Sequence, residues 1–324
     1  MAKVSSKSKS ALDALAAFEA KIETNFVVVE PEVINQLWGG GVSPGSMYAI
    51  WGPEGSGKST LAWQIVRSFC KQGKIVWILD AEKALNDNQK ESFGLTEYFS
   101  EGLARHFIIN TYKDWEDILK AMNSKDFPED QLPSLIVTDS ESMVQPKIAD
   151  DMSVEDNQPG VKAKQANVVL NLQKQVGYSK NIASIVLFHA RANISMTGGT
   201  QPSIKQAGGF AALHIPDVRT RIEPHGKVLE NPSDSKSDQI GVEVWIETEK
   251  NKFTAPRKLY KKKLIFGKGI SKRIDVIDTA IEKGIIVQSG AGYYKLPSGD
   301  TVRGTQALYS LSNEVMKELQ NMIR

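Results

Sequence analysis

Residues 52–60 read Gly52-Pro53-Glu54-Gly55-Ser56-Gly57-Lys58-Ser59-Thr60. This is the G-x-x-x-x-G-K-[ST] spacing of a loop that wraps a polyphosphate. The glycines let the backbone turn its N–H groups inward around a triphosphate. Lys58 is expected to reach the β- and γ-phosphates, and Ser59 to hold Mg²⁺. A plain Gly/Ser turn with a solvated lysine is the alternative. The flanks exclude it: the apolar strand Met47-Tyr48-Ala49-Ile50-Trp51 precedes the loop, and a helical pattern with Leu61, Ile65, Val66 and Phe69 follows. Two carboxylates belong to the same chemistry. The strand expected over 74–79 runs into Asp80-Ala81-Glu82, and Leu135-Ile136-Val137-Thr138 runs into Asp139. In an open parallel sheet, ligands bind beyond the carboxyl ends of the strands. Asp139 is therefore read as a Mg²⁺ carboxylate, direct or through water, and Glu82 as the group that orients a water at the γ-phosphate. Either alone would be an ordinary strand-end carboxylate; beside the loop they form one constellation.

Those residues need a scaffold. Strands are expected at 74–79, 106–109, 134–138 and 183–188, and helices at 59–71, 114–122 and 162–179. That alternation argues for an α/β core with a mostly parallel central sheet. Strands at 217–223, 241–249 and 259–266 would add an antiparallel or mixed portion. The stretch 224–239, rich in Pro, Ser, Asp and Lys, reads as an exposed loop. A small α/β module with helices at 274–284 and 305–322 follows. Ahead of the core, Leu12, Leu15, Ala16 and Ile22 mark a short amphipathic helix over 10–22, expected to pack on a neighbouring molecule. Phe26-Val27-Val28-Val29 reads as extended, and Gly39-Gly40-Gly41 as a turn. The expected division is 1–30, an N-terminal polymerisation segment; 31–268, the core; and 269–324, the C-terminal module. Over 324 residues the net charge is only +2, so any nucleic-acid site must be local. The single cysteine, Cys70, excludes an intrachain disulfide and reads as a buried thiol. No run approaches the roughly 18 apolar residues of a membrane span, and the basic N-terminal tip is not of signal type. A reducing cytoplasmic setting is expected, with no membrane partner.

Asp80-Ala81-Glu82-Lys83-Ala84-Leu85 resembles the D-A-E-H-A-L segment of bacterial RecA recombinases, and the phosphate loop resembles their G-P-E-S-S-G-K-T-T. Glu249-Lys250-Asn251-Lys252-Phe253-Thr254-Ala255-Pro256 is similar to their K-N-K-x-A-A-P segment, and Gly290-Ala291-Gly292-Tyr293-Tyr294 to their A-G-A-W-Y. The likeness runs in order through all but about the first ten residues. The chain is identified as a member of this family of strand-exchange ATPases, in a divergent form of the kind seen in phages.

The resemblance implies an ATP- and Mg²⁺-dependent enzyme of recombinational repair. It would form a helical filament on single-stranded DNA and pair it with duplex DNA, in a bacterial or phage-infected cytoplasm. Single-strand-binding and loader proteins are expected partners. ATP would lie between subunits, with Lys58, Glu82 and Asp139 on one side and Lys250 and Lys252 reaching the γ-phosphate from the neighbour, as an arginine finger does. Read without the resemblance, Lys250 and Lys252 are a solvated basic loop. His189 stands where the family has a γ-phosphate-sensing glutamine, and imidazole can still hydrogen-bond a phosphate oxygen. Residues 192–209 would be the second DNA loop. Arg191, Lys205 and backbone at Gly198, Gly199, Gly208 and Gly209 would meet phosphates, and Ile194 or Met196 would wedge between bases. Residues 153–164, with Lys162 and Lys164, would be the first.

Several positions depart from the family. Gln89 and Asn86 stand where it has a tyrosine and an aspartate near the adenine, which leaves base selectivity open. His214 replaces an aromatic residue that transmits ATP state. The sequence stops at Arg324 without the family's acidic C-terminal tail, so autoinhibition by such a tail is not expected. Lys268, Lys272, Arg273, Lys283, Lys295 and Arg303 offer either a duplex-capturing face or a solvated one. Two rival readings are a hexameric motor ATPase and a non-catalytic scaffold that binds ATP only to assemble. The K-N-K-x-x-A-P segment argues against the first, and intact Lys58, Glu82 and Asp139 against the second.

Overall fold

A computed structural model describes residues 25–147, 159–193, 203–230 and 236–323. The expected N-terminal helix, and Ile194, Met196, Gly198 and Gly199, lie outside the described residues. The elements in chain order are α1 (Glu32–Trp38), β1 (Met47–Gly52), α2 (Lys58–Cys70), β2 (Val76–Asp80), α3 (Asp87–Ser92), α4 (Thr96–Ser100), β3 (Ala104–Ile108), α5 (Tyr112–Met122) and β4 (Leu135–Asp139). They continue as α6 (Pro159–Lys180), β5 (Ala183–Asn193), β6 (Ser203–Gln206), α7 (Gly209–His214), β7 (Val218–Leu229), β8 (Gln239–Asn251), β9 (Leu259–Ile265) and β10 (Gly269–Ile270). The C-terminal elements are α8 (Lys272–Glu282), β11 (Val287–Gly290), β12 (Tyr293–Lys295), β13 (Thr301–Arg303), α9 (Thr305–Leu308) and α10 (Asn313–Ile323).

The main sheet runs β10-β9-β8-β7-β1-β5-β4-β2-β3, with β6 beside β5. From β7 to β3 every neighbouring pair is parallel; β8, β9, β10 and β6 are added antiparallel. The α/β class with a mostly parallel sheet is the one read from the alternation. β1, β2 and β4 are buried at every position, as near-continuous apolar strands covered on both faces must be. Tyr48, Ile50, Ile78, Val137 and Leu187 face α1 and α2. Ala49, Trp51, Trp77, Ile136 and Phe188 face α5 and α6. Cys70 is buried in the first of these layers, as expected.

Several boundaries differ from expectation. β7 and β8 form a hairpin paired from Val218↔Asn251 to Leu229↔Gln239, so residues 224–229 and 239 of the expected loop 224–239 are strand; cross-strand pairing overrides their polar composition. The helix expected at 162 begins at Pro159, whose missing N–H costs nothing in a first turn. Lys162 and Lys164 are therefore helical, not in a loop. Both described ends of the expected loop 192–209 are regular structure: Ala192 and Asn193 extend β5, and Lys205 of β6 pairs with Arg191. Gly208, at φ 92°, caps α7, and Gly209 is its first residue. A Cβ on Gly208 would meet Ala212 at 2.7 Å and Phe188 at 2.9 Å, so this glycine serves packing. The helix expected at 305–322 is broken into α9 and α10.

The C-terminal elements carry their own apolar cluster, including Val276, Ile277, Ile286, Leu319 and Ile323. They are tied to the sheet by a buried ion pair, Lys262 of β9 with Asp275 of α8 at 3.1 Å, whose side chains are 1% and 0% exposed. Asp275 also accepts the Val33 N–H at 2.9 Å. Of the basic residues expected on this module's face, Lys272 pairs with Glu30. Arg273 donates to Leu311 and Asn313, and Lys283 to the Ile323 carbonyl. Those three are taken up by internal contacts.

Candidate nucleotide site

The phosphate loop joins β1 to α2 with no slack. Gly52 and Gly57 cannot carry a side chain: a Cβ would approach the Ile222 carbonyl oxygen to 2.0 Å and Leu264 Cδ1 to 2.4 Å respectively. Gly57 also sits at φ 90° as the residue before α2. Together with Glu54, Gly55, Lys58, Ser59 and Thr60, the cavity at this loop is lined by Glu82, His189, Leu264 and Phe266. Its cationic floor is Lys58, whose ammonium donates to the Pro53 carbonyl at 2.7 Å. Burial lowers the pKa of Lys58, while Asp139, Glu82 and Glu54 oppose that fall. The Ser56 hydroxyl is buried without a partner.

Asp139 fits a cation site. Both its carboxylate oxygens are buried and neither finds a hydrogen-bond partner. Burial first, then repulsion from Glu82, pushes its pKa up to about 7, with Ser59 and Lys58 opposing the rise. An orphaned carboxylate beside a hydroxyl and a polyphosphate loop is the donor set a Mg²⁺ ion takes.

Glu82 is held by two groups. Its Oε1 accepts the Ser140 hydroxyl at 2.7 Å and contacts His189 Nε2 at 2.7 Å. The backbone supports this: Ala81 and Glu82 N–H groups both donate to the Asp139 carbonyl, at 2.7 and 3.2 Å. Asp80 does not line the cavity. It is buried and shapes the turn carrying Glu82, accepting from Lys83 N–H at 2.7 Å and Leu85 N–H at 3.2 Å, with His106 Nε2 at 3.0 Å. Burial would raise its pKa, but those contacts outweigh it and hold the carboxyl below its usual range. His189 was expected at a strand end. It lies within β5, level with Gly52 of β1, so the strand itself aims it at the loop.

The sequence reading missed Ser140, His106, Leu264 and Phe266. For Phe266 a signal existed: an aromatic before a glycine at the end of β9. It is 51% exposed, and Gly267 beside it abuts Ser92 of α3. Asn86 accepts the Gln89 N–H at 3.0 Å as the cap of α3.

Lys250 and Lys252 are not at this cavity. Asn251 between them pairs with Val218 of β7, and Val218 pairs with Tyr48 at the start of β1. They therefore lie at the amino edge of the parallel strands, while the phosphate loop leaves β1 at its carboxyl end. Four strand residues, roughly 13 Å at about 3.3 Å each, separate the two levels. Lys250 donates to the His214 carbonyl at 2.7 Å, and Lys252 pairs with Asp217 at 2.9 Å. The His214 ring packs on Phe210, centroids 3.8 Å apart. Lys162 donates to the Ser142 carbonyl at 2.8 Å. Lys164 and Arg191 are exposed.

The family model of the RecA N-terminal domain matches residues 19–271. Protein RecA of Fusobacterium nucleatum subsp. nucleatum is 30% identical over 256 residues, 78% of this chain and 63% of that protein. The chain thus spans less than two thirds of that relative's length. The chromosomal RecA of Lactococcus lactis subsp. lactis is 25% identical over 348 residues, covering 98% of this chain and 84% of its own. The crystal structure of the RadB recombinase has the same fold, with TM-score 0.51 at 21% identity, over 77% of this chain and 98% of that one. Among the described residues no helix is long and apolar enough to cross a membrane. With more than half its length matched by the family model, over a stretch that holds the phosphate loop, Glu82 and Asp139, the chain belongs to the RecA family.

Proposed function

We propose that this chain is an ATP-dependent recombinase: it assembles on single-stranded DNA, hydrolyses ATP between adjacent subunits, and pairs the coated strand with homologous duplex in recombinational repair. In this reading Lys58 and the loop amides hold the phosphates, with Mg²⁺ on Ser59 and Asp139. The ion supplies charge neutralisation at the phosphates. Glu82, oriented by Ser140 and His189, positions the attacking water, and Phe266 packs on the base. His189 shares Glu82, so a γ-phosphate that draws the imidazole also alters the carboxylate. The β5–β6 hairpin starts just beyond His189 and sets Arg191 beside Lys205, which is a short path from the nucleotide to a DNA phosphate.

The observation that carries the proposal is the placement of Lys250 and Lys252 at the sheet edge opposite their own phosphate loop. From there they serve a second copy's nucleotide more readily than their own. The test is a mixing experiment on single-stranded DNA. Glu82→Gln should slow turnover by at least about 10²-fold, and Lys250→Ala should suppress it while leaving nucleotide binding by dilute protein intact. Mixed together, the two should recover activity, because some interfaces then join a sound Glu82 to a neighbour's sound Lys250. No recovery at any ratio, with co-assembly demonstrated by electron microscopy, would refute catalysis across subunits. Closed rings in place of filaments would favour a motor ATPase.

A further inference from the structure

Lys252 does not stand alone at the amino edge of the sheet. Its ammonium pairs with Oδ1 of Asp217 at 2.9 Å. The other oxygen of Asp217 accepts the Met47 N–H at 2.9 Å and pairs with the ammonium of Lys174 from α6. Asp217 is buried, while the Lys252 side chain is 58% exposed. Three elements thus fix one carboxylate: β1 through Met47, α6 through Lys174, and the chain entering β7. That carboxylate in turn fixes one outward-facing ammonium. A lone N–H at the start of β1 would be satisfied by a neutral acceptor, and a buried carboxylate is a costly way to supply one. What the charge adds is a hold on two lysines. Lys174, Lys250 and Lys252 bring three ammonium groups to a patch with one carboxylate, so it keeps a net positive charge suited to a phosphate.

We propose that Asp217 is the positioning residue for Lys252, anchored from behind by Lys174 and Met47, and that this clasp sets the ammonium where a neighbouring subunit's terminal phosphate arrives. The proposal rests on the reading that Lys250 and Lys252 act on a neighbour's nucleotide. A lysine side chain has many rotamers, and one held by a fixed carboxylate loses less freedom when it meets its target. An ammonium has three N–H groups, so Lys252 can keep Asp217 and still donate to a phosphate.

The test uses full-length protein with Asp217→Asn, which keeps an acceptor for Met47 but removes the charge. DNA-stimulated turnover should fall about tenfold, the scale of restoring rotamer freedom to one lysine. Nucleotide affinity of the dilute protein and assembly on single-stranded DNA should stay at wild-type values. Mixing Asp217→Asn with Glu82→Gln should restore turnover, since the first supplies a sound phosphate site and the second a sound clasp. A merely structural role would give a loss that mixing does not repair, and that result overturns the proposal; so does unchanged turnover. Should Asp217→Asn fail to fold, Lys174→Met carries the same expectation with a smaller loss, about threefold, repaired by the same mixing. Lys252→Ala distinguishes a failed clasp from a lysine that does not act on a neighbour's nucleotide. If it leaves turnover intact, the neighbour-directed reading falls and this proposal with it. If Lys252→Ala abolishes turnover and neither clasp variant lowers it, only the clasp is refuted.

Discussion

Asp139 is a buried carboxylate with no hydrogen-bond partner, and replacing it by asparagine should stabilise the metal-free protein at neutral and higher pH. Its pKa rises from 3.8 to about 7. The sign follows from linkage: with the folded pKa above the unfolded one, the folded state holds the proton more tightly. The stabilisation this gives is fully present below about pH 4 and is lost as pH rises through about 7. About three units at 1.36 kcal/mol each amount to roughly 4 kcal/mol. Solvent that enters the cavity above Asp139 would reduce this, so roughly 2–4 kcal/mol is the expected range. The assay is urea denaturation with a chelator present, from about pH 4 to about pH 8, on wild type and Asp139→Asn. Other carboxylates titrate in both proteins, so the difference between the two curves isolates this one. The variant should gain relative stability as pH rises, and Mg²⁺ with ATP should reverse the order by stabilising only the wild type. Parallel curves would refute the reasoning, because Asp139 would then be solvated or paired in the folded protein.

Phe266→Ala should raise the KM for ATP about tenfold with little change in kcat, since a base–aromatic stack is worth ~1–3 kcal/mol; an unchanged KM would place the base elsewhere. Lys262→Met strands Asp275 in the joint between the sheet and α8, and should cost about 3–5 kcal/mol in chemical denaturation at pH 8. Burial already raises the Asp275 pKa, so at lower pH the orphan carboxyl takes up a proton and the loss should shrink. A loss independent of pH would show that the defect is packing and not charge.

What the sequence made legible is what is local. The phosphate loop, the apolar strands ending in Asp80 and Asp139, and α2 each announce themselves within about ten residues. α1, α3 and α4 have seven, six and five residues, too few to display a helical period. The ends of β5 and the β7–β8 hairpin read as polar loop because their strand character comes from partners, not from composition. The Asp217 clasp was beyond reach for the same reason. It joins Met47 to a carboxylate 170 positions away, and nothing in either local sequence marks the other. Phe266 carried a readable cue, an aromatic at a strand end before a glycine, but its meaning depends on β9 lying across the sheet from the loop.

In the assembly proposed above, the two edges of this sheet would give each subunit a head and a tail. In an open row of n such molecules there are n−1 complete catalytic interfaces. One terminal subunit carries a phosphate loop that no neighbour serves, and the other carries lysines with nothing to serve. Turnover per subunit should therefore climb with row length and level off. Loss of a subunit from either end breaks one ATP-filled interface, but the terminal nucleotide is open to solvent at one end and closed by a neighbour at the other, so the two ends should exchange subunits at different rates. A row of this kind would grow and shrink with a direction, set by the distance from Gly52 back to Met47 along a single buried strand.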